Sequence, residues 1–120
     1  MRHRKKVRKL GVDSAHRSSL LKNLFTSLLL SGKIKTTEAR GKELLRFGNR
    51  LIEKAKRGDL ASQREVSSYI TKKEVSINFF KETLPKLSSR RGGHLRLMRI
   101  NHRKGDGASM VMVELIKEGE

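Results

Sequence analysis

Residues 95–115 read LRLMRINHRKGDGASMVMVEL. Leu95, Leu97 and Arg99 alternate with Arg96, Met98 and Ile100, and Met110, Met112 and Glu114 alternate with Val111, Val113 and Leu115. A period of two sends neighbouring side chains to opposite faces of an extended chain, so these are two strands. Between them, Lys104-Gly105-Asp106-Gly107 supplies residue types that tolerate positive φ, which makes an antiparallel hairpin the economical reading.

Upstream the period lengthens to that of helices. Val75, Phe79, Phe80 and Leu84 suggest a helix that Pro85 stops, because proline has no N–H to donate and disfavours the helical conformation in the residue before it. Leu60, Val66, Tyr69 and Ile70 suggest a shorter helix, with Asp59 as a possible cap after Gly58. A longer helix is expected from a cap at Thr37 to about Arg57, burying Leu44, Gly48, Leu51, Ile52 and Ala55 and turning Arg40, Lys42, Arg46, Arg50 and Lys54 elsewhere. Gly48 inside it costs about 1 kcal/mol relative to alanine, which a close packing contact would explain. Lys33-Ile34-Lys35-Thr36 alternates and is β-branched, so it reads as a short strand. The first helix should start from a cap at Asp13 or Ser14 and run to about Leu30, with Leu20, Leu21, Leu24, Phe25 and Leu28 along one face and Gly32 ending it. The expected fold is α+β, a mixed α/β single two-layer domain over residues 13–117. Its order is helix, strand, three helices and a two-strand hairpin, with a basic arm at 1–12 and a tail at 118–120.

Charge narrows the function. The 120 residues carry 29 lysines and arginines against 12 aspartates and glutamates, a net charge of +17 and a pI near 11.0. Such a chain needs an anionic partner, and nucleic acid and anionic membrane both release condensed counterions when a basic protein binds. No apolar run approaches the roughly 20 residues of a spanning helix, and no secretory signal follows the basic start, so the protein is expected to stay where it is made. Cysteine is absent, which excludes disulfides, thiolate metal sites and cysteine nucleophiles. The charge is also polarised: residues 1–57 hold seventeen bases and four acids, whereas residues 58–88 hold five and four. The arm, the first two helices and the hairpin should therefore face the anion, with the third and fourth helices towards solvent or other protein.

Two basic stretches are the strongest candidates for binding. Arg2, Arg4, Lys5, Lys6, Arg8 and Lys9 lie in a segment with no acid and too little apolar content to fold alone. Arg90, Arg91, Arg96, Arg99, Arg103 and Lys104 crowd the first hairpin strand and its ends, where a rigid backbone would hold guanidinium forks in register along phosphates. The plainer reading of both is a solvated surface. Aromatics are scarce, at 4%, and Phe25, Phe79 and Phe80 sit at core spacing. Recognition should thus rest mainly on phosphate, ribose and RNA shape, with sequence reading secondary. His3, His16, His94 and His102 have no metal-specifying spacing, Gly92-Gly93 and Gly105-Asp106-Gly107 read as turns, and the serines near Arg17 lack a base and orienting carboxylate.

MRHRKKVRKLG at 1–11, HRSSLLKNLFTSLL at 16–29, IKTTEARGKELLRF at 34–47, LIEKAKRGD at 51–59 and SRRGGHLRLMRINHRKGDGASMVMVELI at 89–116 closely resemble the bacterial ribosomal protein L-seventeen family of the large subunit. The resemblance spans almost the whole chain and implies a mixed α/β domain with an RNA-embedded N-terminal arm. It implies binding to large-subunit rRNA near the exit of the nascent-chain tunnel, in the cytoplasm, beside other large-subunit proteins. It implies no catalysis and no cofactor. Arg2, His3, Arg4, Lys5, His16, Arg17, Thr36, Thr37, Arg91, Gly92, Gly93, Arg96, Arg103, Gly105 and Asp106 fall on the family's characteristic segments. With Lys6, Arg8, Lys9, Lys35, Arg90, Arg99 and Lys104 added for charge, the basic and polar members of that set form the expected rRNA-binding surface. Two places depart from the family pattern: His94 stands where an aromatic is frequent, and Gly48-Asn49 lacks an acid often found before Leu51-Ile52. No membrane, small-molecule substrate or obligate homo-oligomer is expected. A small DNA-organising protein would use the same phosphate attraction, and an enzyme acting on nucleic acid is disfavoured because no paired carboxylates or metal cluster stand out.

Overall fold

A computed structural model of the chain describes residues 14–87 and 91–116. The arm at 1–12, the cap candidate Asp13, Arg90 and the tail at 118–120 lie outside the described residues. The elements are α1 (Ser14–Ser31), β1 (Lys33–Thr37), α2 (Glu38–Ala55), α3 (Leu60–Ser68), α4 (Lys73–Asn78), a π-helical turn (Phe79–Thr83), α5 (Leu84–Leu87), β2 (Leu95–His102) and β3 (Ser109–Leu115). The expected hairpin is β2–β3, and the strand expected at Lys33 joins it across the other edge of β3. The sheet is antiparallel throughout, in the order β1-β3-β2.

Register follows from which face is buried. Thr36 pairs with Val111 and Ile34 with Val113, while Leu97 pairs with Val113 and Leu95 with Leu115. These side chains share the face that meets the helices, and Val111, Val113, Leu115 and Leu95 are all buried there. The other face carries Lys33, Glu114 and Arg96 in one row and Lys35, Met112 and Met98 in the next. A slip of one residue would exchange the two faces, so the apolar set holds the register. An irregularity between Arg99 and His102 then shifts the pairing before the turn.

Helices α1 and α2 lie on the apolar face, with α3 against α2 and α4 against α1. Phe25 of α1 is fully buried and meets Phe47 of α2 and Phe79 of the π-helical turn edge to face, at 6.0 and 6.4 Å between ring centres. Leu21, Leu28 and Leu29 complete the buried face of α1, whereas Leu30 points outward. Gly32, at φ 84°, ends the helix as expected. The contact anticipated at Gly48 is present: a Cβ there would stand 2.4 Å from Leu95 Cδ1. Gly41, two turns earlier, has the same relation to Val111 Cγ2, also at 2.4 Å. Together the two glycines let the axis of α2 approach the sheet.

Two local expectations need correction. Pro85 does not stop a helix; it sits inside α5, which continues directly from the π-helical turn. The N–H of Leu84 reaches the carbonyl of Phe79, five residues back. This wider turn gives the proline ring room and leaves less for its missing donor to disrupt. Thr37 occupies the cap position of α2 with extended backbone, but its side chain makes no capping hydrogen bond. Asp59 does cap α3, accepting from the N–H of Ser62 at 3.3 Å.

Candidate nucleic-acid interface

The polar face of the sheet presents alternating strand positions. Lys33, Lys35 and Arg96 are exposed on it, around the partly exposed Met112 and the exposed Met98. Arg96 is held in place rather than loose. Its Nε donates to Glu114 Oε1 at 2.7 Å, and Nη2 donates to the same oxygen. Because Lys33 and Arg96 both pair with Glu114 in register, one carboxylate stands between two cations.

Arg99 lies on the helix side of the sheet, near the start of α2, where its Nε is 3.4 Å from Glu38 Oε1. Lys42 pairs with the same carboxylate at 3.1 Å, and Ser109 donates a hydrogen bond to it at 3.1 Å. The hydrogen bond from Lys42, with those of Ser109 and the charge of Arg99, holds the Glu38 carboxyl below its usual range. In the β2–β3 turn Arg103 forms a fork on Asp106, with Nε to Oδ1 at 3.1 Å and Nη2 to Oδ2 at 2.5 Å. Asp106 also accepts from the N–H of Ala108, and its carboxyl falls to about 2, chiefly through the Arg103 hydrogen bond.

Sequence neighbours suggested hairpin arginines with few acids nearby, and the fold changes that. Each of Arg96, Arg99 and Arg103 meets an acid, two of them supplied from distant positions. Exposed pairs of this kind contribute little to stability. A guanidinium has five donors, so a pair that uses one or two of them fixes its direction and leaves others for a phosphate. The net positive charge of this surface comes instead from Lys33, Lys35, Arg91 and Lys104, all exposed.

The remaining expected residues separate by place. His16 is exposed and Arg17 partly exposed in the first turn of α1. Thr36 is buried beneath the sheet and Thr37 partly buried at the start of α2. Gly92 and Gly93, both at positive φ, carry the chain from Arg91 into β2. Arg2, His3, Arg4, Lys5, Lys6, Arg8, Lys9 and Arg90 lie outside the described residues. Lys33, Arg46 and Arg50 were not among the expected contacts. For Lys33 the signal was present, since it shares the alternation of Lys35.

The start of β2 is anchored to α2 by Asn49 and His94. Asn49 Oδ1 accepts the N–H of Leu95 at 3.1 Å, and His94, wholly buried, places Nε2 2.6 Å from Glu53 Oε1. The hydrogen bond from His94 is the main cause that holds the Glu53 carboxyl below its usual range. Nδ1 of the same ring is buried without a hydrogen-bond partner. His94 is thus an internal tie, and its ring is closed to any base.

Residues 20–116 match the model of the ribosomal protein L17 family. The chain is 47% identical over 109 residues to the large ribosomal subunit protein bL17 of Alkaliphilus metalliredigens, an alignment that covers 91% of this chain and 96% of the relative. The chain belongs to the ribosomal protein L17 family. The bL17 proteins of Clostridioides difficile and Syntrophomonas wolfei are each 46% identical, over 92% of this chain and 98% and 97% of theirs. Membership of the L17 family makes the chain a structural ribosomal protein and not an enzyme. Among the described residues no helix is long and apolar enough to cross a membrane.

Proposed function

We propose that this chain is a structural component of the large ribosomal subunit that grips its rRNA by phosphate and ribose contacts near the exit of the nascent-chain tunnel, in the cytoplasm and beside other large-subunit proteins. Family membership combined with a net charge of +17 carries the reading. The basic segment at 1–12, the first turn of α1 with His16 and Arg17, the polar face of the sheet with Lys33, Lys35 and Arg96, the approach to β2 with Arg91, and the turn end of the hairpin with Arg99, Arg103 and Lys104 form the grip. The tunnel-exit position in this proposal rests on the family resemblance alone.

Sedimentation tests the assembly. The protein should travel with complete large subunits, and large subunits that are complete while the protein stays in free fractions would overturn the proposal. Binding to isolated large-subunit rRNA tests the grip. Each phosphate contact contributes about 0.7 to 0.9 to the slope of log affinity against log salt, so removing residues 1–12 should weaken binding and flatten the slope by several contacts. An unchanged slope would make that segment a passive tail. Equal affinity for duplex DNA at matched salt would favour the DNA-organising alternative.

A further inference from the structure

Between α1 and α2 the surface opens into a pocket of about 410 Å³. Arg17 approaches it from α1, and Arg46 and Arg50 from successive turns of α2. Its lining includes two aromatic rings: Phe47, largely buried, and Tyr69, partly exposed, meet edge to face with ring centres 5.6 Å apart. Glu43 is also part of the lining, buried and 3.5 Å from Arg46 Nη1. We propose that this pocket receives one unpaired nucleotide of RNA, its phosphate on the arginines and its base against Tyr69 and Phe47. The proposal rests on the RNA-binding reading and names a site within it.

Three features favour a whole nucleotide over phosphate alone. A pocket of several hundred cubic ångströms lies in the range of small-molecule sites, far larger than a phosphate fills. Its lining joins cationic forks to ring surface, the combination that holds unstacked nucleotides. Glu43 adds an acceptor beside them, suited to an exocyclic amino group or a ribose hydroxyl. Arg17 lies one turn from the start of α1, so the basic segment at 1–12 is joined to the chain beside the pocket. Sequence reading alone placed recognition in phosphate and RNA shape, because the aromatics are few. The fold brings two of them to the arginines.

Tyr69 is the only tyrosine and there is no tryptophan, so ¹³C-tyrosine labelling of the full chain gives a single ring to observe by NMR. Hexaadenylate should shift the Tyr69 ring signals upfield and saturably. The Arg46→Ala/Arg50→Ala variant should bind it about tenfold more weakly or worse, the loss expected for charge-assisted hydrogen bonds. Arg46→Lys/Arg50→Lys, which keeps the charge and removes the forks, should fall between. Arg64→Ala/Lys81→Ala, altered on the charge-balanced side, should match the parent. Absence of a ring shift in protein that still binds large-subunit rRNA would overturn the pocket and leave the RNA reading intact. Failure to bind that rRNA would overturn the reading itself. An equal shift with inorganic phosphate would overturn the nucleotide assignment.

Discussion

Helix α2 against the sheet and the helical stretch from Lys73 to Leu87 achieve burial by opposite means. Along α2 the backbone is regular and the neighbours fit it: Gly41 and Gly48 remove side chains where Val111 and Leu95 need the space. From Lys73 to Leu87 the side chains are ordinary, and the backbone changes pitch to place them, passing from α to π and back. A regular element announces itself through its period, whereas a change of pitch arises from a local conflict that period does not report.

Phe25 couples the two regions, since it touches Phe47 of α2 and Phe79 of the π-helical turn. Phe25→Ala should therefore have the largest effect, about 3–5 kcal/mol of stability, as for other buried phenylalanines. Denaturant unfolding measures the loss, and hydrogen exchange shows where it falls. Both regions should lose protection together. Loosening confined to residues 73–87 would show that α2 and the sheet stand without the shared ring.

The origin of the π-helical turn yields the next effect. With ordinary α-helical spacing the Pro85 ring would collide with the carbonyl four residues before it, a penalty of about 3 kcal/mol or more. Deleting the exposed Lys81 removes the extra residue and should reinstate much of that cost. Adding Pro85→Ala to the deletion should recover most of it, while Pro85→Ala alone should stay within about 1 kcal/mol of the parent. Thermal or denaturant unfolding of the three variants gives the coupling directly. A deletion that costs the same with and without proline would separate the π turn from Pro85.

Particular residues show how much of this was legible in the sequence. The strands at Leu95 and Met110, the helices over Leu20–Leu28 and Leu44–Ala55 and the tight approach at Gly48 were all readable, because each leaves a periodic or steric mark on the chain itself. The partners of Arg96 and Arg99 were not, since Glu114 and Glu38 meet them only through the antiparallel register and the packing of α2 on the sheet. The pocket lining was hidden for the same reason: Arg17, Arg50 and Tyr69 are distant in sequence. Pro85 misled because the usual rule assumes that the preceding turn stays α-helical.

A smaller effect separates the two glycines of α2. Alanine in a helix gains about 1 kcal/mol over glycine, while crowding a filled core costs about 1–3 kcal/mol. At Gly41 the obstructing atom belongs to Val111, stiff at χ1, with Leu97 Cδ1 also within 3.3 Å. At Gly48 it is the end of a longer and more adaptable leucine side chain. Gly41→Ala should thus cost about 1–2 kcal/mol, and Gly48→Ala less. Chemical denaturation of both decides it, and the reverse order would mean that α2 shifts as a rigid body and that no single contact sets its distance from the sheet.

The smallest effect belongs to the exposed turn at the end of the hairpin. Asp106 holds Arg103 and the N–H of Ala108, and its carboxyl is depressed from 3.8 to about 2. Because the folded-state value is lowered, its contribution is complete above pH 3.8 and is lost as the pH falls towards 2. The Ala108 amide signal should follow this titration and Asp106→Asn should remove it, while the amide of Val111, in the regular part of β3, should keep its exchange protection through the same interval. The turn would then open without the strand, which is the behaviour expected of an element held by its own side chains. Simultaneous loss at Val111 would instead make the turn part of the cooperative core.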